Sequence, residues 1–171
     1  GLNSGSAYLY QRQADGGWSE IQKLTASDGA ISDNFGISVA ISGDTALVGA
    51  HRDDDNGSSS GSVYIYERQT DGSWSEIRKF TAYDASVTGI SFGTRVAIDV
   101  DTFLVGAWGD NDNGSDSGSA YLYERQADGS WSETAKLTAS DAAASGPSRA
   151  SGGRFGSAHG EAASFSAVPA A

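Results

Sequence analysis

Cysteine and methionine are both absent from the 171 residues, and only two prolines and two histidines are present. Without cysteine there is no disulfide and no thiol chemistry. The missing methionine marks a chain expected to be processed or partial. No apolar run approaches the roughly 20 residues of a membrane-spanning helix. Nor does the N-terminus carry a basic region followed by an apolar core, so any signal peptide is expected to be gone already. Positive charge is also scarce: 11 Lys and Arg stand against 22 Asp and Glu, a formal net charge of -11. A surface of that sign repels nucleic acid and anionic membrane.

What the chain has is repetition. Gly-Gly-Trp18-Ser-Glu recurs as Gly-Ser-Trp74-Ser-Glu and Gly-Ser-Trp131-Ser-Glu, at offsets of 56 and then 57 residues. Gly5-Ser-Ala-Tyr-Leu-Tyr recurs as Gly61-Ser-Val-Tyr-Ile-Tyr and Gly118-Ser-Ala-Tyr-Leu-Tyr, and Asn34-Phe-Gly as Ser91-Phe-Gly. Each unit reads as four strands. Phe35 to Ile41, with Ile37, Val39 and Ile41 alternating against small or polar residues, ends at the turn Ser42-Gly-Asp44. Thr45 to Ala50 is a short apolar strand, Ser62 to Arg68 is β-branched and aromatic, and Thr70-Asp-Gly-Ser73 turns into Trp74 to Thr81. No 3.6-residue period occurs in the repeats, which excludes a helical solenoid. The expected fold is all-β, a β-propeller-type tandem repeat of four-stranded antiparallel blades, with a β-solenoid second. Residues 1–33 would be the C-terminal half of a blade and residues 34–90 and 91–141 full blades. Residues 142–171 would be a degenerate Ala/Ser/Gly-rich tail or the start of a further blade. About two and a half blades fall short of the roughly four to eight that close a propeller.

In order along each unit, Phe35-Gly36, Leu-Val-Gly49-Ala50 and Gly-Ser-x-Tyr-x-Tyr, repeated from Phe92-Gly93 and Gly106-Ala107, resemble the FG-GAP repeats of bacterial surface proteins and of the integrin α-subunit propeller. The resemblance spans about residues 1 to 141, with His51 and Trp108 where the motif's proline would stand. It implies a secreted or cell-surface propeller that serves in adhesion. In that family calcium is often held between Phe-Gly and Gly-Ala-Pro. Here the interval offers only Asp44 in one unit and Asp99 with Asp101 in the other, so that site does not carry over.

Oxygen ligands cluster elsewhere, in the loops Arg52-Asp-Asp-Asp-Asn-Gly-Ser58 and Asp110-Asn-Asp-Asn-Gly-Ser-Asp116. Calcium takes six to eight oxygens at flexible geometry, which makes Asp53, Asp55, Asp110, Asp112 and Asp116 the candidate ligands. Their spacing is not that of an EF-hand, and the same composition suits a solvated Asx-turn loop. Asn56-Gly-Ser and Asn113-Gly-Ser match the N-glycosylation acceptor pattern, and they also match a tight turn. Trp108 replaces a histidine in a loop and is the candidate ligand-contacting aromatic. The remaining Trp and Tyr residues suit an inter-blade core.

Catalytic patterns are scarce. Gly57-Ser-Ser-Ser-Gly61 has the nucleophile-elbow letters, but it lies in a loop before a strand, and Gly114-Ser-Asp-Ser-Gly118 lacks the central serine. Neither His51 nor His159 has a setting that suits a general base. The expected role is therefore non-enzymatic: an extracellular structural or adhesive module that associates with itself, as an oligomer or filament, or with missing blades of a longer chain, and that meets surface glycans or proteins. The alternatives are a calcium-dependent carbohydrate-binding module and a fragment of a propeller hydrolase or lyase.

Overall fold

A computed structural model describes residues 3–84, 89–114 and 117–140. Asp116 and the segment from 141 to 171, including the tail and His159, lie outside the described residues. Ten strands and no helix are found among the described residues. In chain order they are β1 (Ala7–Arg12), β2 (Trp18–Leu24), β3 (Ser38–Ser42), β4 (Thr45–Ala50) and β5 (Ser62–Arg68). The rest are β6 (Trp74–Phe80), β7 (Phe92–Asp99), β8 (Thr102–Ala107), β9 (Ser119–Arg125) and β10 (Trp131–Thr138). They form a two-stranded sheet β1-β2 and two four-stranded antiparallel sheets, β3-β4-β5-β6 and β7-β8-β9-β10, each a meander in chain order. The tandem four-stranded blades expected from the repeat are present.

The outer hairpin of every sheet carries the same irregularity. Its register slips by one residue, leaving Ile21, Ile77 and Thr134 without partners in the ladder. A bulge of this kind raises the local twist and turns the odd residue outward, and Ile21 and Ile77 are exposed accordingly.

The middle sheet packs one face on the sheet before it and the other on the sheet after it. Phe35, Ala46, Val48, Tyr64, Tyr66 and Trp74 meet Leu9 and Leu24 of the first sheet. The opposite face of the same sheet, Leu47, Val63, Ile65 and Phe80, meets Phe92, Phe103, Val105, Tyr121, Tyr123 and Trp131 of the third. One aromatic face on one aliphatic face is thus the repeating contact. Ring pairs reinforce it across the second seam: Phe80 lies edge-on to Phe103 at 5.6 Å and to Tyr123 at 5.1 Å. Such pairs contribute about 0.5–1.5 kcal/mol each beyond area burial. Trp74 and Trp131 are 7% and 3% exposed in equivalent positions, as the 57-residue pattern requires.

The first strand of the second sheet begins later than the sequence suggests, at Ser38 instead of Phe35. Phe35 lies outside the strands of its own sheet and makes an isolated parallel bridge with Gly5, just ahead of β1, and Phe92, the first residue of β7, makes the matching bridge with Gly61 ahead of β5. The glycine after each phenylalanine permits this turn: Gly36 and Gly93 have φ of 91° and 87°. A side chain on Gly93 would also come within 2.4 Å of the Ser62 carbonyl. Phe-Gly is therefore the point at which one blade is stitched to the next.

The alternation of Ile37, Val39 and Ile41 does not produce a buried face. All three are exposed, Val39 at 61%, whereas Val96 and Ile98, which match Val39 and Ile41, pack on the second core. The cause lies in the neighbour. Val96 and Ile98 have inner strands of the preceding sheet to lie against, and the β1-β2 sheet supplies only two strands.

Replacing Gly93 with alanine is expected to cost roughly 1–3 kcal/mol for the unfavourable backbone, with the Ser62 clash in addition. Gly43→Ala, also at positive φ but with no atom within 4 Å of the added carbon, should lose only about 1–2 kcal/mol. Urea denaturation of both variants measures the difference.

Candidate functional site

Two copies of one charged cluster sit at the seams between sheets. Each starts from a loop that the turn chemistry of Asp, Asn and Gly folds upon itself. In the loop after β4, Asp53 Oδ1 accepts from the Asp55 amide at 3.2 Å, Asp54 Oδ1 accepts from the Ser59 amide at 2.6 Å, and the Gly61 amide returns to the Asp53 carbonyl at 2.9 Å. In the loop after β8, Asp110 Oδ1 accepts from the Asp112 amide at 3.0 Å and the Gly118 amide reaches the Asp110 carbonyl at 2.9 Å. Asp53 and Asp110 are thereby held inward and buried, and Asp55 and Asp112, two residues on, are left at the surface.

The aspartates converge on a lysine. Lys79 of β6 places Nζ 2.8 Å from Asp53 Oδ2, 2.5 Å from Asp55 Oδ2 and 2.7 Å from Asp28 Oδ2. Lys136 of β10 repeats this with Asp110 at 2.7 Å, Asp112 at 2.5 Å and Asp84 at 2.5 Å. A tyrosine hydroxyl completes each set. Tyr64 Oη lies 2.7 Å from Asp28 Oδ1 and 2.9 Å from Asp53 Oδ2, and Tyr121 Oη lies 2.8 Å from both Asp84 Oδ1 and Asp110 Oδ2. The lysines also stand over those tyrosine rings, at 5.3 Å and 5.2 Å. Because Asp28 and Asp84 belong to the segments that leave one sheet for the next, the cluster ties three pieces of chain across a seam.

Opposing effects set the charges. Burial pushes Asp28 up, but hydrogen bonds from Lys79 and Tyr64 and the lysine charge outweigh it and leave the carboxyl below the usual range. Asp110 behaves likewise through Lys136, the Asp112 amide and Tyr121. Burial alone would lower Lys79 and Lys136; their three carboxylate partners raise both above an ordinary lysine. Desolvation and the adjacent carboxylates hold Tyr64 and Tyr121 protonated as donors.

Of the ligands the sequence suggests, Asp53 joins Asp55 and Asp110 joins Asp112, with three carboxylate oxygens of each cluster lying within 4.8 Å of one another. That spacing suits an ion with oxygens at about 2.3–2.6 Å. In the present arrangement, however, an ammonium occupies the centre, so the side chains do not fit calcium while Lys79 and Lys136 stay where they are. Composition alone could not find Asp28, Asp84, Lys79 and Lys136. The repeat could, since Lys-Leu-Thr-Ala-Ser-Asp28 recurs as Lys-Phe-Thr-Ala-Tyr-Asp84.

Asn56 and Asn113 are both exposed on turns. Trp108 is 42% exposed beside the second loop. His51, in the matching position, is half-buried, and burial with the nearby charges of Arg52 and Arg95 lowers its pKa.

Compared with known families, the chain matches the FG-GAP repeat over residues 18–66 and 74–123, more than half its length. No curated protein matches it. Repeats of this kind typically occur in extracellular or surface proteins and often bind calcium. Each matched stretch runs from the outer strand of one sheet through the third strand of the next, so the family's unit contains the seam and its acidic loop.

Asp28 and Asp110 keep their proton affinity low only in the folded state, whereas unfolded aspartate titrates near 3.9. The unfolded chain then binds protons first, and the clusters' contribution is present above about pH 5 and lost as pH falls through 4 and below. The lysines act with the opposite sign, and their share is lost only when pH rises beyond about 10.4. Lys79→Met is expected to lower stability at pH 7 by on the order of 3 kcal/mol. Its deficit against wild type should narrow toward pH 4, because protonation relieves the unneutralised carboxylates. Thermal melts by circular dichroism from pH 7 to pH 3 test this.

Proposed function

The chain belongs to the FG-GAP repeat family, and from that premise we propose that it is an extracellular structural or adhesive module that associates through the open faces of its blades. In this reading residues 1–33 are the outer half of a blade, 34–90 and 91–141 are full blades, and the whole is non-catalytic. One observation carries the proposal. Tyr8, Tyr10 and Trp18 repeat Tyr64, Tyr66 and Trp74, yet Trp18 is 67% exposed where Trp74 is 7%. A bare face of three aromatics is the kind of patch that soluble monomers rarely leave uncovered.

The repeat itself indicates the occupant. In both internal seams the aromatic face lies on an aliphatic face of the preceding sheet. The corresponding aliphatic face of the third sheet is partly open, with Leu137 exposed at the position that Phe80 fills in the second. A second copy of the chain therefore offers a matching surface. Front-to-back contact is heterologous, and it yields a ring where the rotation closes and a filament where it does not. An acidic exterior keeps such an assembly soluble.

Trp108 beside the Asp110 loop favours, as a second reading, contact with surface glycans. Calcium has no part in either reading, because an ammonium already stands among the carboxylates.

Sedimentation velocity over a range of micromolar concentrations is expected to show association beyond the monomer. Tyr10→Glu with Trp18→Glu should return the chain to monomer without changing its circular dichroism spectrum. A wild-type chain that stays monodisperse and monomeric would overturn the proposal. Quenching of tryptophan fluorescence by soluble glycans, abolished in Trp108→Ala, tests the second reading.

A further inference from the structure

Repeats of this family often bind calcium, and the two acidic clusters have carboxylate spacing that would admit such an ion. We propose that Lys79 and Lys136 are the resident cations of these clusters, so that each seam is closed by an internal ammonium and needs no divalent ion. Three features support it.

The first is stoichiometry. An ammonium has three N–H donors and no acceptor, and Lys79 Nζ has three carboxylates within 2.5 to 2.8 Å, from Asp28, Asp53 and Asp55. Each proton has one oxygen. The same is true of Lys136 with Asp84, Asp110 and Asp112. A lysine reaching an acidic loop by chance would not be expected to saturate twice with the same partners.

The second is connectivity. The three carboxylates of one set come from two segments distant in sequence, the exit of the previous sheet and the loop after the second strand, while the lysine comes from the fourth strand. A bound calcium would join those segments in the same way, by drawing oxygens of unlike origin onto one centre. The ammonium performs that joining with a covalently tethered charge, so it cannot dissociate. Divalent ion and lysine are mutually exclusive, since both need the space that Nζ now fills.

The third is the open end. Lys23 is the member of the series in the first sheet, and it stands over Tyr8 at 5.8 Å as its counterparts stand over Tyr64 and Tyr121. Among the described residues it has no carboxylate within ion-pair distance. Among the described residues the first sheet consists of β1 and β2, with no counterpart of β4 and its acidic loop. The lysine is thus placed by the repeat, and its carboxylates arrive only with a complete blade.

The test uses the full chain. Wild-type protein is melted in chelator and in millimolar calcium, and native mass spectrometry records any bound ion. The melting temperature should be the same in both and no ion should co-purify. A fall of several degrees in chelator, or stoichiometric calcium on the native chain, overturns the proposal. Lys79→Ala and Lys136→Ala, which free the cage, should melt lower than wild type in chelator and recover several degrees in calcium, by the mass action of a ligand on the folded state. Alanine variants that melt like wild type and ignore calcium would also overturn it. Should they fail to fold in chelator, folding on addition of calcium supports the inference and its failure counts against it. Lys79→Arg, which retains the charge, is expected to remain indifferent to calcium; calcium dependence in that variant would count against the ammonium's role.

Discussion

A four-stranded sheet with apolar side chains on both faces cannot hide either of them by itself, and every other feature of this protein follows from that constraint. Along β4 and β5, the residues pointing one way (Ala46, Val48, Tyr64, Tyr66) belong to one core, and those pointing the other way (Leu47, Val63, Ile65) belong to the next. Stability therefore resides in seams between blades more than in blades. A chain of this design adds a hydrophobic contact for each blade added, and it always leaves two faces over unless it closes. The exposed Tyr8, Tyr10 and Trp18 are what remains over at one end.

Backbone and charge both serve the seam. Phe35 and Phe92 each bridge to the chain of the preceding unit, at Gly5 and Gly61, and the glycine at positive φ after each permits the turn. The Lys79 and Lys136 clusters fix the same seams from the loop side with charged hydrogen bonds. Partly buried pairs of this kind add little net stability compared with apolar packing, but breaking one leaves an uncompensated charge behind. Their effect is to penalise a misplaced neighbour. The acidic excess of the chain is accordingly not all solvated surface: six of the aspartates are gathered around two lysines.

The family match has the same shape. It begins at Trp18 and at Trp74, in the outer strand of one sheet, and it ends in the third strand of the next. A repeat so phased carries across the seam the segments that must fit each other: the aliphatic outer strand, the exit loop with Asp28 or Asp84, the Phe-Gly crossing and the acidic loop.

Strand order, antiparallel pairing and the equivalence of Trp74 with Trp131 were legible in the sequence, because alternation, turn residues and a 56-to-57-residue period are local properties that a sheet reads directly. Half of each charged cluster was legible as well, since Asp53 with Asp55 and Asp110 with Asp112 are close in the chain. The other half depends on distance in space. Asp28 and Lys79 are 51 residues apart, and only the packing of one sheet on another makes them neighbours. Exposure was the second thing that sequence left open. Trp18 and Trp74 have the same local setting, and so do Val39 and Val96, yet Trp74 is buried and Val96 packs on a core while Trp18 and Val39 are exposed. Burial is a property of what lies opposite, and in a repeat protein the residues opposite belong to another copy of the unit.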